Sequence, residues 1–462
     1  MLAKKHLIVA LQRLLGCMFS ALFALTFVGC AKTTSISSGA YATIPTSSDA
    51  APVFVTDARI VALSQAIAAG STSVLPYWTG SKGGLLTSCT SNLNAASNAP
   101  ADFYFPDTAY NTSTTASTFQ AEMTTDGSIA FGEALCYRIQ SLVNPADPNL
   151  QAYANTALSL IEAWQGIGYD ICNVSPTCPN AAGTGTVAMG SFVGNTAPTV
   201  VLNYQFPQFI YAAALLRRSS VWTSSEETAY ETFLKGTILP VAQLIGPGTQ
   251  GSTNNLNNSY INTAAAIYAF LGDQTDLQTL ATLWAGNIAS QIADEPALDN
   301  PPTSTTLVMI QEYCRNLAGG GTAPADDPTE PYCSNDANSS GLYANSEGAN
   351  GIFYSTISLN ALAAAAEVFQ NNGIASWSLP AAQEMSAAFV TTTGWITKYS
   401  TFPYAAALTK ALPSTTISLG DTPGWPLLQA RLAPSATATY VASLSNFQGQ
   451  ISYCALLYSV SA

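Results

Sequence analysis

The chain has one histidine in 462 residues, His6, and it precedes an apolar run, Leu14 to Val28. Lys4, Lys5 and Arg13 come before that run, the layout of a secretory signal, and the run is too short for a spanning helix. Removal of that segment leaves no imidazole, which excludes a Ser/His/Asp triad and argues against a zinc site. Charge is scarce as well: only 9% of residues are Asp, Glu, Lys or Arg, so neutral Ser, Thr and Asn must keep the surface soluble. The balance is acidic, with 27 Asp and Glu against 14 Lys and Arg and a formal net charge of −13. Without residues 1–29 the basic count falls to 11 and the charge to −16. Such a body repels phosphate backbones, so nucleic acid is not an expected partner. No Gly-x-Gly-x-x-Gly opens a helix after a strand and no phosphate loop occurs, so no cofactor is expected.

At the end of the apolar run, Phe27-Val28-Gly29-Cys30 resembles a bacterial lipobox, which implies acylation of Cys30. The alternative is an ordinary cleaved signal with a chance cysteine. The expectation is an exported protein, in the periplasm or on the outer membrane surface, held to a membrane by an N-terminal lipid anchor. Residues 30–52, rich in Ser, Thr, Ala and Gly, read as a flexible tether. Beyond Cys17 and Cys30 seven cysteines remain, which outside the cytoplasm are disulfide candidates rather than metal ligands. The tightest pairings by spacing are Cys172 with Cys178 and Cys314 with Cys333, and one cysteine must stay unpaired. No metal site is expected.

Apolar residues recur at helical spacing in Ile129–Leu142, Leu150–Trp164, Phe206–Leu216, Glu226–Leu244, Ile261–Leu271, Leu277–Ile292, Ser355–Phe369 and Ala381–Tyr399. Boundary signals agree: Thr223-Ser224-Ser225-Glu226 offers a capping box, Pro380 suits a first helical turn, and Gly272-Asp273 ends one helix and starts the next. Alanine-rich stretches such as Ala264-Ala265-Ala266 and Ala361 to Ala366 let neighbouring backbones approach closely. The expected class is all-α, a bundle, solenoid or α/α toroid, with no short repeat to favour the solenoid. Residues 53–433 read as one domain, followed by an extension, 434–462, packed on it; within the extension Tyr440–Leu444 and Ile451–Val460 are apolar enough for strands or a helix.

The segment from Asn254-Asn255 through the alanine-rich helix to Gly272-Asp273 resembles the alginate lyase superfamily of α/α-toroid polysaccharide lyases, incomplete barrels of helical hairpins. In that family the helix opens with Asn-Asn-His and ends in Gly-Asp; Leu256 stands at the position of the catalytic histidine. The resemblance extends in order through Asp126–Ala134, Tyr153–Trp164, Gln205–Arg217 with Trp222, Glu312–Asn316 and Tyr354–Glu367. It implies a monomer acting by β-elimination on an acidic, uronate-containing polysaccharide or oligosaccharide. Tyr354 and Arg315 are the implied catalytic residues, and Asn255, Asn254, Tyr204 and Gln205 the implied substrate-binding ones.

The chemistry asks for a group to neutralise the sugar carboxylate, a base for the C5 proton and an acid for the leaving O4. Asn255 suits the first need, Arg315 supplies positive charge that lowers a neighbouring tyrosine's pKa, and Tyr354 transfers the proton. Without histidine the expectation is syn elimination only, or no lyase activity. Each residue also has a plain structural reading: Asn254 and Asn255 as helix caps, Tyr354 as a packed rim tyrosine, and Arg315 as partner of Asp326, Asp327 or Glu330. Arg217-Arg218 reads as a helix C-terminal charge feature, although an active lyase would need basic residues such as Arg217 at its cleft. Two rival functions stay open: a non-catalytic glycan-binding or scaffold lipoprotein, supported by Leu256, and a glycoside hydrolase using two of Asp126, Glu133, Glu312 and Glu367.

Overall fold

The computed structural model describes residues 52–99, 114–166, 177–179, 186–188, 197–217, 219–246, 255–294, 307–309, 351–398, 422–447 and 449–460. Its elements in chain order begin with α1 (Asp57–Ala68), α2 (Leu75–Trp78), α3 (Leu85–Asn92), α4 (Thr114–Val143) and α5 (Leu150–Gly166). The antiparallel pair β1 (Thr177–Pro179) and β2 (Thr186–Ala188) precedes α6 (Ala197–Gln205), α7 (Pro207–Leu216) and α8 (Ser224–Phe233). A π segment, Leu234–Ile238, carries α8 into α9 (Leu239–Ala242), and α10 (Asn255–Leu271) and α11 (Gln274–Gln291) follow. A second antiparallel pair, β3 (Ile292–Asp294) with β4 (Leu307–Met309), comes before α12 (Gly351–Asn371) and α13 (Pro380–Lys398). The last helices are α14 (Trp425–Leu432), α15 (Ala438–Ser443) and α16 (Cys454–Leu457).

The fold is an all-α toroid whose inner and outer helices alternate along the chain. The helices α4, α6–α7, α10 and α12 form the inner ring; α5, α8, α11 and α13 form the outer one. Sequence pattern separates the two. In α11 the buried positions Leu277, Leu280, Ala281, Trp284, Asn287, Ile288 and Gln291 fall on one stripe and the opposite face is exposed. Inner helices lack an exposed stripe: in α7 every residue but Ala214 is buried, and in α10 all are buried but Leu256, Tyr268 and Leu271. Alanines let such helices come close, and Ala264–Ala266 of α10 and Ala363–Ala366 of α12, helices that pack on each other, are fully buried.

Local signals set the ends. The Thr223 side chain accepts from the Glu226 amide while the Glu226 carboxylate accepts from the Thr223 amide, closing the expected capping box at α8. Gly272 has φ +70°, which a side chain would resist, and Asp273 then caps α11 by accepting from the Asp276 amide. That tight turn joins inner α10 to outer α11.

The inner helices run in one direction. Asn255 bonds Tyr204, Asn262 bonds Tyr211, and the Phe270 carbonyl accepts from Arg217, three links that climb α10 and α6–α7 together. Likewise Gly127 of α4 lies against Gln208 and Phe209, and Phe131, one turn on, against Tyr211. Helices α4, α6–α7 and α10 therefore begin at the same end of the barrel.

The ring is completed by the later helices: α14 packs on α12, α16 on α14 and on α2, α2 on α3, and α3 on α4. Cys89 of α3 and Cys136 of α4 form a disulfide, a pairing the sequence spacing did not single out, and Cys454 is free and buried. The pairings Cys172–Cys178 and Cys314–Cys333 lie outside the described residues, as do the signal-like segment, Cys30 and the tether. The stretch 449–457 touches several ring helices at once. The Gly449 carbonyl accepts from Gln208 of α7, the Ser452 and Ser128 hydroxyls share a hydrogen bond, the Tyr453 hydroxyl donates to the Ser128 carbonyl, and Ile451 lies against Gly424 just before α14. The extension's apolar segments are the short helices α15 and α16, with no strand in them. Among the described residues no helix is long and apolar enough to cross a membrane.

Candidate functional site

Two of the residues marked in the sequence meet at the start of α10. The Asn255 carboxamide donates through Nδ2 to the Tyr204 hydroxyl at 2.9 Å, and both side chains are nearly buried. Tyr204 sits in the last turn of α6, where Pro207 opens a new helix one residue beyond Phe206. A long side chain on a helix leans toward the N-terminus, which takes the Tyr204 hydroxyl back to the first residue of α10. Gln205, next in sequence, is also buried, and its Oε1 has no hydrogen-bond partner. A buried amide oxygen in that state costs stability unless something else fills the need, so it is a natural acceptor for a ligand hydroxyl. Tyr204 and Asn255 thus meet where the inner helix α10 begins, and Gln205 is the next residue of α6.

The other asparagines of Asn-Asn-Leu-Asn-Asn-Ser-Tyr-Ile-Asn have structural work. Asn257 pairs with Asn287 of α11, Asn258 exchanges two hydrogen bonds with Gln291 at 2.8 and 3.0 Å, and Asn262 accepts from Tyr211 at 3.0 Å. Burial pushes the Tyr211 phenol upward, and its bond to Asn262 opposes that only in part. The sequence did not single out Asn287 or Gln291; they follow Trp284 at three and seven residues on the buried stripe of α11, which was the available signal. Leu256 is half-buried and packs on the apolar core.

Further along the ring, α12 starts at Gly351, so Tyr354 falls in its first turn; only its backbone belongs to the described part. Four residues on, the buried Ser358 hydroxyl lacks a hydrogen-bond partner. Asn254, Arg315 and Glu312 lie outside the described residues.

The acids considered for hydrolysis are differently placed. Asp126, fully buried, accepts from the Ser97 hydroxyl, the Asn98 amide and side chain and the Trp164 indole, at 2.6 to 2.9 Å. Its oxygens are committed to tying 97–98 and α5 to α4. Glu367 is held by Arg431 and by the Trp377 indole. Glu133 is buried with both oxygens unpartnered, and burial lifts its pKa to about 9. Asp126 and Glu133 project from one face of α4, and the bonds of Asp126 turn that face toward α5 and residues 97–98. Arg217, weighed for the cleft, lies at the other end of the inner ring. Its guanidinium stacks 3.5 Å from the Phe270 ring centroid, donates to the Phe270 carbonyl and pairs with Glu227, the helix C-terminal role. No three metal-ligating side chains cluster among the described residues.

No protein-family model and no curated protein matches the chain. Among solved structures it is similar to an alginate lyase from Bacteroides ovatus, with a TM-score of 0.53 and 12% identity, over 89% of this chain and 100% of that one. At that identity the likeness speaks for architecture alone: the chain has the all-α toroid fold.

Proposed function

We propose that the protein cleaves an acidic, uronate-containing polysaccharide of alginate type by β-elimination at the N-terminal end of α10. The observation that carries this is the buried Asn255–Tyr204 pair in a lyase-like toroid. Asn255 stands in the first turn of α10, where backbone N–H groups without helical partners favour an anion, and its carboxamide would hydrogen-bond the sugar carboxylate. That contact stabilises the charge spreading from C5 as its proton leaves. Tyr354, opening the neighbouring inner helix, takes the C5 proton while Arg315 favours its phenolate. The electron pair forms the C4–C5 double bond, the C4–O4 bond breaks, and O4 receives a proton from the same tyrosine, a syn course. Tyr204 and Gln205 bind sugar hydroxyls. The protein acts as a monomer held to a membrane through lipidated Cys30, which a Cys30→Ala variant lacking bound lipid would support.

Leu256 favours a second reading, a glycan-binding protein of the same fold without turnover. One experiment separates the two. The protein is mixed with mannuronate-rich alginate and other uronate polymers while absorbance from unsaturated ends is followed. The lyase reading expects that absorbance to rise, to vanish in Tyr354→Phe, and its rate to fall about 100- to 1000-fold in Asn255→Ala. Binding without absorbance selects the glycan-binding reading, and activity unchanged in Tyr354→Phe removes that residue from the mechanism. New reducing ends without absorbance would restore hydrolysis.

A further inference from the structure

Away from the start of α10, a groove of about 370 Å³ opens between the α2 region and helices α14 to α16. Ser73, Tyr77, Lys82, Pro426, Gln429 and Tyr458 are in its lining, and no Asp or Glu is. In a chain with 27 acids and 14 basic residues, this groove carries a lysine and no carboxylate, so its local charge is opposite in sign to that of the whole. Lys82 is held in place: its ammonium donates to the Ala442 carbonyl at 2.6 Å and to the Tyr77 hydroxyl at 3.3 Å, and lies 5.2 Å from the Tyr77 ring centroid. Those two bonds use two of its three N–H donors, and none of the ion pairs among the described residues includes it. Arg59 sits 4.7 Å from the Tyr458 ring centroid and donates to the Val460 carbonyl, adding positive charge behind the groove wall. Arg431, also near, is matched by Glu367.

The lining therefore offers the Pro426 ring and the sides of Tyr77 and Tyr458 that Lys82 and Arg59 do not cover for the C–H side of a sugar ring, the Ser73 hydroxyl for its oxygens, a Gln429 carboxamide fixed by Pro434 and Thr437, and one cation with a donor to spare. Its volume lies in the range of small-ligand sites. We propose that this groove binds a carboxylated sugar unit, with Lys82 on the carboxylate, and so forms a second contact for an acidic polysaccharide. This rests on the reading of the substrate as a uronate polymer, but not on the chemistry at Asn255. A polymer held at both places would be retained between cleavage events, a gain in effective concentration rather than in chemistry.

The test is titration calorimetry of the Tyr354→Phe protein with a mannuronate tetramer, against a neutral mannose tetramer. Two sites are expected for the uronate. Lys82→Met should weaken the groove site about 10- to 100-fold and leave the other site unchanged. Ser73→Trp, which fills the groove from an exposed position without touching Lys82, should do the same with the fold intact. If uronate binding at Asn255 fails, a single uronate site remains and both variants weaken it by that same factor, whereas loss of turnover alone leaves both sites. Unchanged stoichiometry and affinity in both variants, or equal groove binding of the neutral tetramer, overturns the proposal.

Discussion

Glu133 is a carboxyl group closed off from water with nothing to donate to it, and its consequence is measurable as a slope. Burial raises its folded pKa from 4.5 to about 9, so across that window the folded protein keeps a proton that the unfolded chain has released. Stability supplied by this group is then complete at acidic pH and falls as pH rises, by at most ~1.4 kcal/mol per unit. Urea unfolding at pH 5, 7 and 9 should show the decline, and Glu133→Gln should flatten it. A variant as pH-sensitive as the parent would place the effect elsewhere. Nothing in the sequence distinguished Glu133 from Asp126, seven residues earlier on the same face; only the donors gathered around Asp126 do so. The family resemblance marked Asn255 and Tyr204, and the hydrogen bond between them came only with the structure. The local asparagine pattern alone gave no means of separating Asn255 from Asn257 and Asn258, which bond across to α11.

At the level of elements, the outer helices were plain in the sequence because a half-buried helix leaves a stripe. The alanine runs of α10 and α12 marked close packing for the same reason of shape. Helix α6 escaped, since it is short and Pro207 divides it from α7, and the short C-terminal helices could be read as strands. The Cys89–Cys136 bond depends on α3 approaching α4, a tertiary fact without a local signal. It closes a separation of 47 residues, so Cys89→Ser with Cys136→Ser should lower stability by about 4 kcal/mol, read by denaturant unfolding. The close packing at Gly132 gives a second test. A Cβ there would stand 2.7 Å from the Tyr453 hydroxyl, so Gly132→Ala should cost about 1–3 kcal/mol, and Tyr453→Phe should relieve part of that cost. Strict additivity of the two substitutions would mean the residues do not meet.

For the molecule as a whole, the charge of −13 opposes the partner proposed for it. Long-range repulsion between two polyanions is screened by salt over a Debye length of about 8 Å at physiological ionic strength. Association with a uronate polymer should therefore speed up as salt is raised from about 0.01 to about 0.15 M, while Lys82→Met should steepen that dependence. Stopped-flow binding with the Tyr354→Phe protein would report both, and a rate that falls with salt would show that local cations outweigh the body. The stretch 449–457, wedged against α4 and α7, also has a bearing on biosynthesis. Those contacts join residues made early to residues made more than two hundred positions later, so the nascent chain cannot complete its tertiary structure step by step as it emerges. Ribosome-bound chains cut before Gly449 should stay protease-sensitive, and resistance should arise abruptly once that stretch is free to dock, which makes the timing of release a control on folding.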